Sequence, residues 1–160
     1  MTTATGSETV DVLYGTTGLA VALPPGAEAT VIRKRPMAKL PDPERAVADA
    51  LARPISAPPL DQLARGKESA CILICDVTRP VPNHLFLRPL IERMIAAGMP
   101  RERITVLVAT GLHRPNEGAE LEALVGDPWV MQNVRVENHF ARDAAAHVDL
   151  GVTPKRATPV

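Results

Sequence analysis

Aromatic residues are scarce in this sequence, which has only Tyr14, Phe86, Trp129 and Phe140 among 160 residues, and its formal net charge is zero. Proteins that bind nucleic acids usually present a basic surface or a set of stacking rings. Helices that lie on membranes usually carry a basic face. The composition therefore predicts neither a nucleic-acid partner nor a membrane partner.

Long hydrophobic runs are absent as well. Residues 1–10 lack an apolar core of signal-peptide length, and later apolar runs are about as long as a strand. We therefore expect a cytoplasmic protein. Cysteine is limited to Cys71 and Cys75, which would lie roughly 13 Å apart along a strand. Because that separation is too large for a disulfide or a shared metal ion, we expect two buried, unreactive thiols.

The length and the 46% content of hydrophobic residues are typical of one folded domain. We therefore predict a single domain over residues 1–160. Residues 1–9 are polar and are predicted to be disordered. Residues 152–160 are predicted to lead into a segment that is missing from this chain.

Alternating apolar residues around the turn Tyr14–Gly18 predict a β-hairpin over residues 10–23, and Val31–Ile32 are predicted to form a third strand. Periodicity and capping residues predict helices at about residues 43–51, 59–65, 85–97 and 117–125. In the third helix, Pro89 predicts a kink or a new start near Arg88. Asn116 is predicted to cap the fourth helix.

Three apolar segments are predicted to form the main sheet: Ala70–Cys75, Ile104–Ala109 and Val134–Glu137. A helix between successive strands is typical of parallel pairing. The first segment is apolar throughout, which is typical of a strand buried on both faces. The predicted fold class is α/β, with a Rossmann-like, mainly parallel sheet and flanking helices, preceded by a small N-terminal β-hairpin region.

Polar side chains follow each of these strands. They are Asp76 and Arg79 after the first strand, Thr110 and His113 after the second, and Asn138 and His139 at the end of the third. The carboxyl ends of parallel strands meet at one edge of a sheet, where ligands bind in open α/β folds. We therefore expect a functional site at this edge.

The residue types allow several roles. His113 suits general acid or base chemistry near neutral pH, or it is a loop histidine bonded to a carbonyl group. Arg79 can hold a carboxylate or phosphate, or it bridges to Asp76. Asp76 can orient a histidine or a ribose hydroxyl, or it caps the turn before Pro80.

Other charged and imidazole side chains are weaker candidates. His139 is expected to be structural or exposed, and His84 and His147 to be solvated. Arg114 is expected to bind an anion or to pair with Glu117. No Cys/His cluster with metal-ligand spacing, phosphate-binding glycine loop or nucleophile elbow is present. The missing glycine fingerprint disfavours a nicotinamide dehydrogenase.

Two motifs, Asp76-Val-Thr-Arg-Pro-Val-Pro82 and Ala109-Thr-Gly-Leu-His-Arg-Pro115, closely resemble the N-terminal domain of the nickel-dependent lactate racemase family in order and spacing. The similarity extends from about Val10 to Gly151. Members of that family invert a 2-hydroxy acid at its carbinol carbon by hydride transfer to a nickel-pincer nucleotide. The resemblance implies that this chain is most of the N-terminal catalytic domain of a two-domain racemase or epimerase.

The resemblance also implies residue roles. His113 matches a catalytic histidine that acts as general acid and base, Arg79 matches an arginine near substrate and cofactor, and Asp76 matches an aspartate that contacts the cofactor. The family's second catalytic histidine, cofactor-tethering lysine and nickel-ligating histidine would lie beyond Val160. We therefore expect no metal ligand in this chain and no turnover by the chain alone.

The resemblance implies a small-molecule 2-hydroxy acid as substrate and leaves the particular acid open. A further partner is expected to be the missing C-terminal half or a second copy of the chain, because an interrupted sheet exposes an edge and apolar surface. The alternative hypothesis is a non-catalytic nucleotide-binding or protein-binding domain that lacks the second half of the site.

Overall fold

The computed structural model describes residues 3–4 and 9–157. The chain divides into two compact units, residues 1–39 and residues 40–160. The sequence placed both in one domain, and that assignment stays a prediction.

The described residues of the first unit include four short strands. Strands β2 (Thr9–Val12) and β3 (Leu19–Ala22) pair antiparallel and confirm the predicted hairpin. Strand β1 (Thr3–Ala4) pairs antiparallel with β4 (Ala29–Thr30).

The predicted third strand was therefore wrong in its position. The strand lies at Ala29–Thr30 and ends before Val31–Ile32. Two β-branched residues favour a strand only where a partner is available, and Ile32 is instead largely exposed. The disorder predicted for residues 1–9 falls mostly on residues 1–2 and 5–8, which lie outside the described residues.

Up to residue 157, where the described part of the second unit ends, this unit has five α-helices: α1 (Pro43–Ala52), α2 (Leu60–Ala64), α3 (Asn83–Ala96), α4 (Gly118–Val125) and α5 (Pro128–Asn133). Two 3₁₀ turns lie at Arg101–Arg103 and Ala144–Ala146. No helix within the described ranges is long and apolar enough to cross a membrane.

Helix α5 was missed in the sequence, although its start carries a clear signal. Asp127 accepts a hydrogen bond from the Trp129 backbone N–H at 2.8 Å and precedes Pro128. The same Asp-Pro pair begins α1, where Asp42 accepts from the Arg45 N–H at 2.9 Å. An aspartate cap followed by proline in the first turn is thus sufficient to mark both helices.

Of the kink or new start predicted at Pro89, the new start was wrong, because helix α3 continues across Pro89. Leu87 and Ile91, on either side of the proline, are fully buried, and their packing offsets the hydrogen bond that proline cannot make. Helix α4 has Glu117 rather than Asn116 at its N-cap position, without a side-chain capping bond.

The main sheet consists of β5 (Ala70–Cys75), β6 (Ile104–Ala109) and β7 (Arg135–Asn138) in the order β5-β6-β7, and both pairings are parallel. Ile74 is paired with Val108, and Val108 with Asn138, so the three carboxyl ends lie side by side. This architecture confirms the predicted α/β fold class.

Helices cover one face of the sheet, and side chains on the other face are exposed. Ile104, Val106 and Val108 of β6 are fully buried in one hydrophobic core with residues of helices α2 to α5. On β5, Leu73 is 68% exposed, and Cys71 and Cys75 are exposed free cysteines. The predicted burial of β5 on both faces and of its thiols was therefore wrong, because an apolar run does not show which face the helices cover.

Candidate active site at the carboxyl edge of the sheet

Asp76 follows β5 directly and is only 5% exposed. Its Oδ1 accepts hydrogen bonds from the Thr78 backbone N–H at 3.2 Å and from the Thr78 hydroxyl at 2.6 Å. The backbone N–H of Arg79 donates to the Asp76 carbonyl at 3.1 Å, which closes the turn. These bonds leave Oδ2 directed toward the loop that follows β6.

His113 reaches Asp76 from that loop. The His113 N–H donates to the Thr110 carbonyl at 3.0 Å, and Gly111 between them has φ +57°, a conformation that favours glycine. The His113 Nδ1 contacts Asp76 Oδ2, while the side chain remains 59% exposed. The loops after β5 and β6 thus join a buried carboxylate to an exposed imidazole.

The contact determines which nitrogen of His113 is available. Hydrogen bonds from Thr78, and secondarily from His113, hold the pKa of Asp76 below its usual value of 3.8, so the carboxyl group is ionised at neutral pH. An ionised carboxylate only accepts hydrogen bonds, so Nδ1 of His113 carries the proton. The lone pair of the neutral ring is then on Nε2, where it can accept a proton.

Two of the roles considered for Asp76 are both observed. Its carboxylate orients a histidine and also caps the turn before Pro80. The proposed bridge from Arg79 to Asp76 does not form. Arg79 is exposed, and none of the acidic side chains in the described residues forms an ion pair with it.

Asn116, in the loop after β6, connects the loop after β5 with the last residue of β7. Its backbone N–H donates to Asn138 Oδ1 at 2.9 Å, and its carbonyl accepts from Asn138 Nδ2 at 2.8 Å. Its Oδ1 accepts from the Val77 N–H at 3.3 Å, and its Nδ2 donates to Glu120 at 2.8 Å. Asn116 was assigned as a helix cap in the sequence, and its role in joining the loops was missed.

Thr110 and His139 also meet at this edge. The Thr110 hydroxyl donates to the His139 carbonyl, and the His139 N–H donates to the Val108 carbonyl at 2.9 Å. The residues that follow the three strands are therefore brought together by direct hydrogen bonds.

An open cleft of about 580 Å³ lies beside His113 and is lined by residues 111–115 and 139–143. Two arginines line it. Arg114 forms an ion pair with Glu120 through two hydrogen bonds of 2.6 and 2.8 Å. The predicted pairing of Arg114 with Glu117 was therefore wrong. This pair lowers the pKa of Glu120 to about 2, with help from Asn116.

Arg142, the second arginine of the cleft, is exposed and forms no ion pair with the described acidic residues. It was missed in the sequence because it lies in a loop without a motif. Arg79 is not among the residues that line the cleft. His84 and His147 are exposed and His139 is half-buried, as expected.

In parallel α/β domains, the carboxyl edge of the sheet is where ligands bind, and here that edge carries an Asp–His pair and exposed arginines. The sequence profile described as the lactate racemase N-terminal domain matches residues 14–160. This chain therefore belongs to the lactate racemase N-terminal domain family, which confirms the resemblance of its two motifs.

Individual relatives agree with the family. The lactate racemase of Lactiplantibacillus plantarum is 37% identical over 111 residues, or 69% of this chain and 26% of that protein. The lactate racemase of Thermoanaerobacterium thermosaccharolyticum is 30% identical over 147 residues, or 91% of this chain and 34% of that protein.

The solved structure of the lactate racemase apoprotein from T. thermosaccharolyticum matches with a TM-score of 0.66 at 26% identity, over 91% of this chain and 33% of that chain. This chain thus spans about a quarter to a third of the length of the relatives it matches.

Proposed function

We propose that this chain is the N-terminal part of a cytoplasmic, lactate racemase-like isomerase that inverts a 2-hydroxy acid at its carbinol carbon. Family membership supports the class of reaction. The single observation that carries the proposal is the contact between Asp76 and His113 at the cleft. This contact keeps the ring proton on Nδ1 and leaves Nε2 of His113 available as a base.

In the proposed mechanism His113 is the general base and then the general acid. Its Nε2 takes the proton of the substrate hydroxyl as the carbinol carbon of one enantiomer is oxidised, and donates a proton when the 2-keto acid is reduced back to that enantiomer. A second acid–base group serves the opposite enantiomer. Asp76 accepts the Nδ1 hydrogen bond throughout and stabilises the imidazolium that forms. Positioned acid–base groups of this kind contribute roughly 10²–10⁴-fold to a rate.

Arg79 and Arg142 are proposed to hold the carboxylate of the substrate or the phosphate of the cofactor. Both are exposed cations, and no acidic partner neutralises either one in the described residues. The planar guanidinium group donates two parallel hydrogen bonds to a carboxylate or phosphate. These two side chains therefore supply binding and orientation, while His113 moves the proton.

The cofactor implied by the family is a nickel-pincer nucleotide, which when bound supplies the group that accepts and returns the hydride. Asp76 has about four lone-pair positions, of which Thr78 and His113 occupy three. One position remains for a cofactor hydroxyl. Asp76 therefore fits a hydroxyl group of the nucleotide part of the cofactor. Within the described residues no three His, Cys, Asp or Glu side chains are grouped to hold a metal ion.

A second hypothesis is a nucleotide-binding or protein-binding domain without catalysis. The observation that favours it is that Arg79 and Arg142 are exposed and form no ion pair with the described acidic residues, because two such cations can hold an anionic ligand without any chemistry following.

The test is the interconversion of the two lactate enantiomers, and of other 2-hydroxy acids, by the complete gene product with cofactor supplied. We expect turnover that H113A lowers roughly 10²–10⁴-fold, with normal turnover in the matched control H84A. The 160-residue chain alone should be inactive. Cofactor binding without turnover by the complete product would favour the binding domain, and full activity in H113A would refute the assigned role.

A further inference from the structure

The loop after β7 brings two imidazole rings together, and one of them, that of His139, lines the cleft. His139 Nε2 and His147 Nε2 lie 3.1 Å apart, and the rings are nearly perpendicular, with centroids 5.2 Å apart and an interplanar angle of 83°. The two histidines are eight positions apart in sequence. Their approach is a product of the loop conformation.

A carbonyl group determines the protonation of one ring. The His147 Nδ1 lies 2.6 Å from the Asp143 backbone carbonyl oxygen. Because a carbonyl oxygen only accepts hydrogen bonds, Nδ1 carries the proton and the neutral ring presents its Nε2 lone pair toward His139. Histidines that bind metal ions are usually held in this way, with the other ring nitrogen donating to a carbonyl or carboxylate.

The separation of the two nitrogens suits a shared metal ion. Zinc–nitrogen bonds measure about 2.0–2.1 Å, so two nitrogens on one ion lie about 2.8–3.4 Å apart for angles between about 90° and 109°. The observed 3.1 Å lies within this range. An Nε2–H of His139 donating to His147 would give a similar distance, so this contact is also the form expected without metal.

Hydrogen bonds restrain the backbone at or near both histidines. The His139 N–H donates to the Val108 carbonyl of the sheet at 2.9 Å. The turn before His147 is closed by Ala145 N–H donating to Asp143 Oδ1 at 3.0 Å and Ala146 N–H donating to the Asp143 carbonyl at 3.0 Å. Little rearrangement is therefore needed to present both nitrogens to one ion.

We propose that His139 and His147 form a binding site for a divalent transition-metal ion such as Zn²⁺. Imidazole nitrogen suits Zn²⁺, Cu²⁺ and Ni²⁺ better than Mg²⁺ or Ca²⁺. No third His, Cys, Asp or Glu joins the pair in the part of the chain that the structure describes, so water completes the coordination. The site is independent of the proposed racemase function and requires no part of the cofactor.

The proposal is tested by titrating Zn²⁺ into the chain in a C71S/C75S background, which removes binding by the exposed thiols. Calorimetry gives the stoichiometry, and NMR follows the ring signals of the four histidines. We expect one Zn²⁺ per chain, with the His139 and His147 signals shifting together while those of His84 and His113 do not.

Substitution at His147 gives the decisive comparison. Because His147 is exposed, H147A and H147Q should keep the fold, which circular dichroism checks. Either variant should weaken Zn²⁺ binding by roughly tenfold or more, since a single imidazole remains, whereas H84A should not. Absence of binding at millimolar zinc, or full affinity in H147A, would overturn the proposal.

Discussion

The carboxyl edge of the sheet carries two layers of polar residues that differ in burial and in bonding. The inner layer is buried or half-buried and consists of Asp76, Thr110, Asn116 and Asn138. Each of these side chains hydrogen-bonds to another loop at the edge. The outer layer is exposed and consists of Arg79, His113 and Arg142.

The difference separates positioning from chemistry. The hydrogen-bonding groups of the inner side chains are used to hold the three loops in place. These bonds are needed because a buried polar group without a partner destabilises the fold. Outer side chains keep donors and lone pairs free for a ligand. The contact from Asp76 to His113 connects the two layers. Changes in the inner layer should therefore alter geometry and stability, and changes in the outer layer should alter binding.

The largest effect is expected at the connection between the layers. Asn in place of Asp76 can donate to Nδ1 of His113, which shifts the ring proton to Nε2 and removes the base. In the complete gene product D76N should lower kcat roughly 10²–10⁴-fold with KM nearly unchanged. Steady-state kinetics across pH measures this, and the exposed control D49N should behave as wild type. An unchanged kcat would show that the layers are not coupled.

Within the inner layer, N116A should destabilise the chain by about 1–3 kcal/mol. The substitution leaves the Val77 N–H without its acceptor and removes a donor from Glu120. Urea unfolding followed by circular dichroism measures the loss. Gln132, an exposed residue of α5, is the control, and Q132A should change the free energy of unfolding by less than about 0.5 kcal/mol. Equal stabilities would place Asn116 outside the restraining network.

In the outer layer, R142A should raise KM for a 2-hydroxy acid roughly tenfold, because one charged donor to the carboxylate is lost. The urea midpoint and kcat should stay at wild-type values, since Arg142 forms no ion pair with the described acidic residues. R156A, which removes a cation away from the cleft lining, should leave KM unchanged. A lower stability with normal KM would assign Arg142 to the inner layer instead.

The smallest effect concerns Glu120, whose pKa lies at about 2 rather than 4.5 because of Arg114 and Asn116. A lowered pKa in the folded state contributes stability above the unfolded pKa and loses it as pH falls through the folded value. The Tm difference between wild type and E120Q should therefore shrink from pH 5 to pH 2. The pair is partly exposed and screened by water, so the shift should be small. A Tm difference for E120Q that stays constant with pH would contradict the assignment.

Much of the candidate site could be predicted because it depends on strand order. An apolar run that stops at Asp76, and another that stops before His113, indicate two strand ends. Parallel pairing then requires those ends to lie at one edge. The hypothesis that Asp76 orients a histidine followed from this placement, and the structure supports it.

Other features could not be predicted because the same residues fit several partners. Arg79 lies near Asp76 in sequence, yet Asp76 is bonded to Thr78 and His113. Asn116 is a residue type that often caps helices and lies just before one, yet its side chain bonds to Val77 in another loop and to Glu120. The local sequence pattern does not show whether a side chain bonds to a neighbour in sequence or to a distant residue. Here the distant partners lie 37 residues apart for Asp76 and His113 and 39 apart for Val77 and Asn116.

The amino-acid pattern alone was enough to establish the α/β class, the parallel order of the three strands and the edge at which Asp76 and His113 meet. These features depend on local periodicity and on general rules of strand connection. The bare face of the sheet with its exposed cysteines, the bonds of Asn116 and the contact of His139 with His147 were decided by tertiary packing. Each depends on which surfaces the helices cover and on how loops settle against one another, and these are properties of the assembled chain.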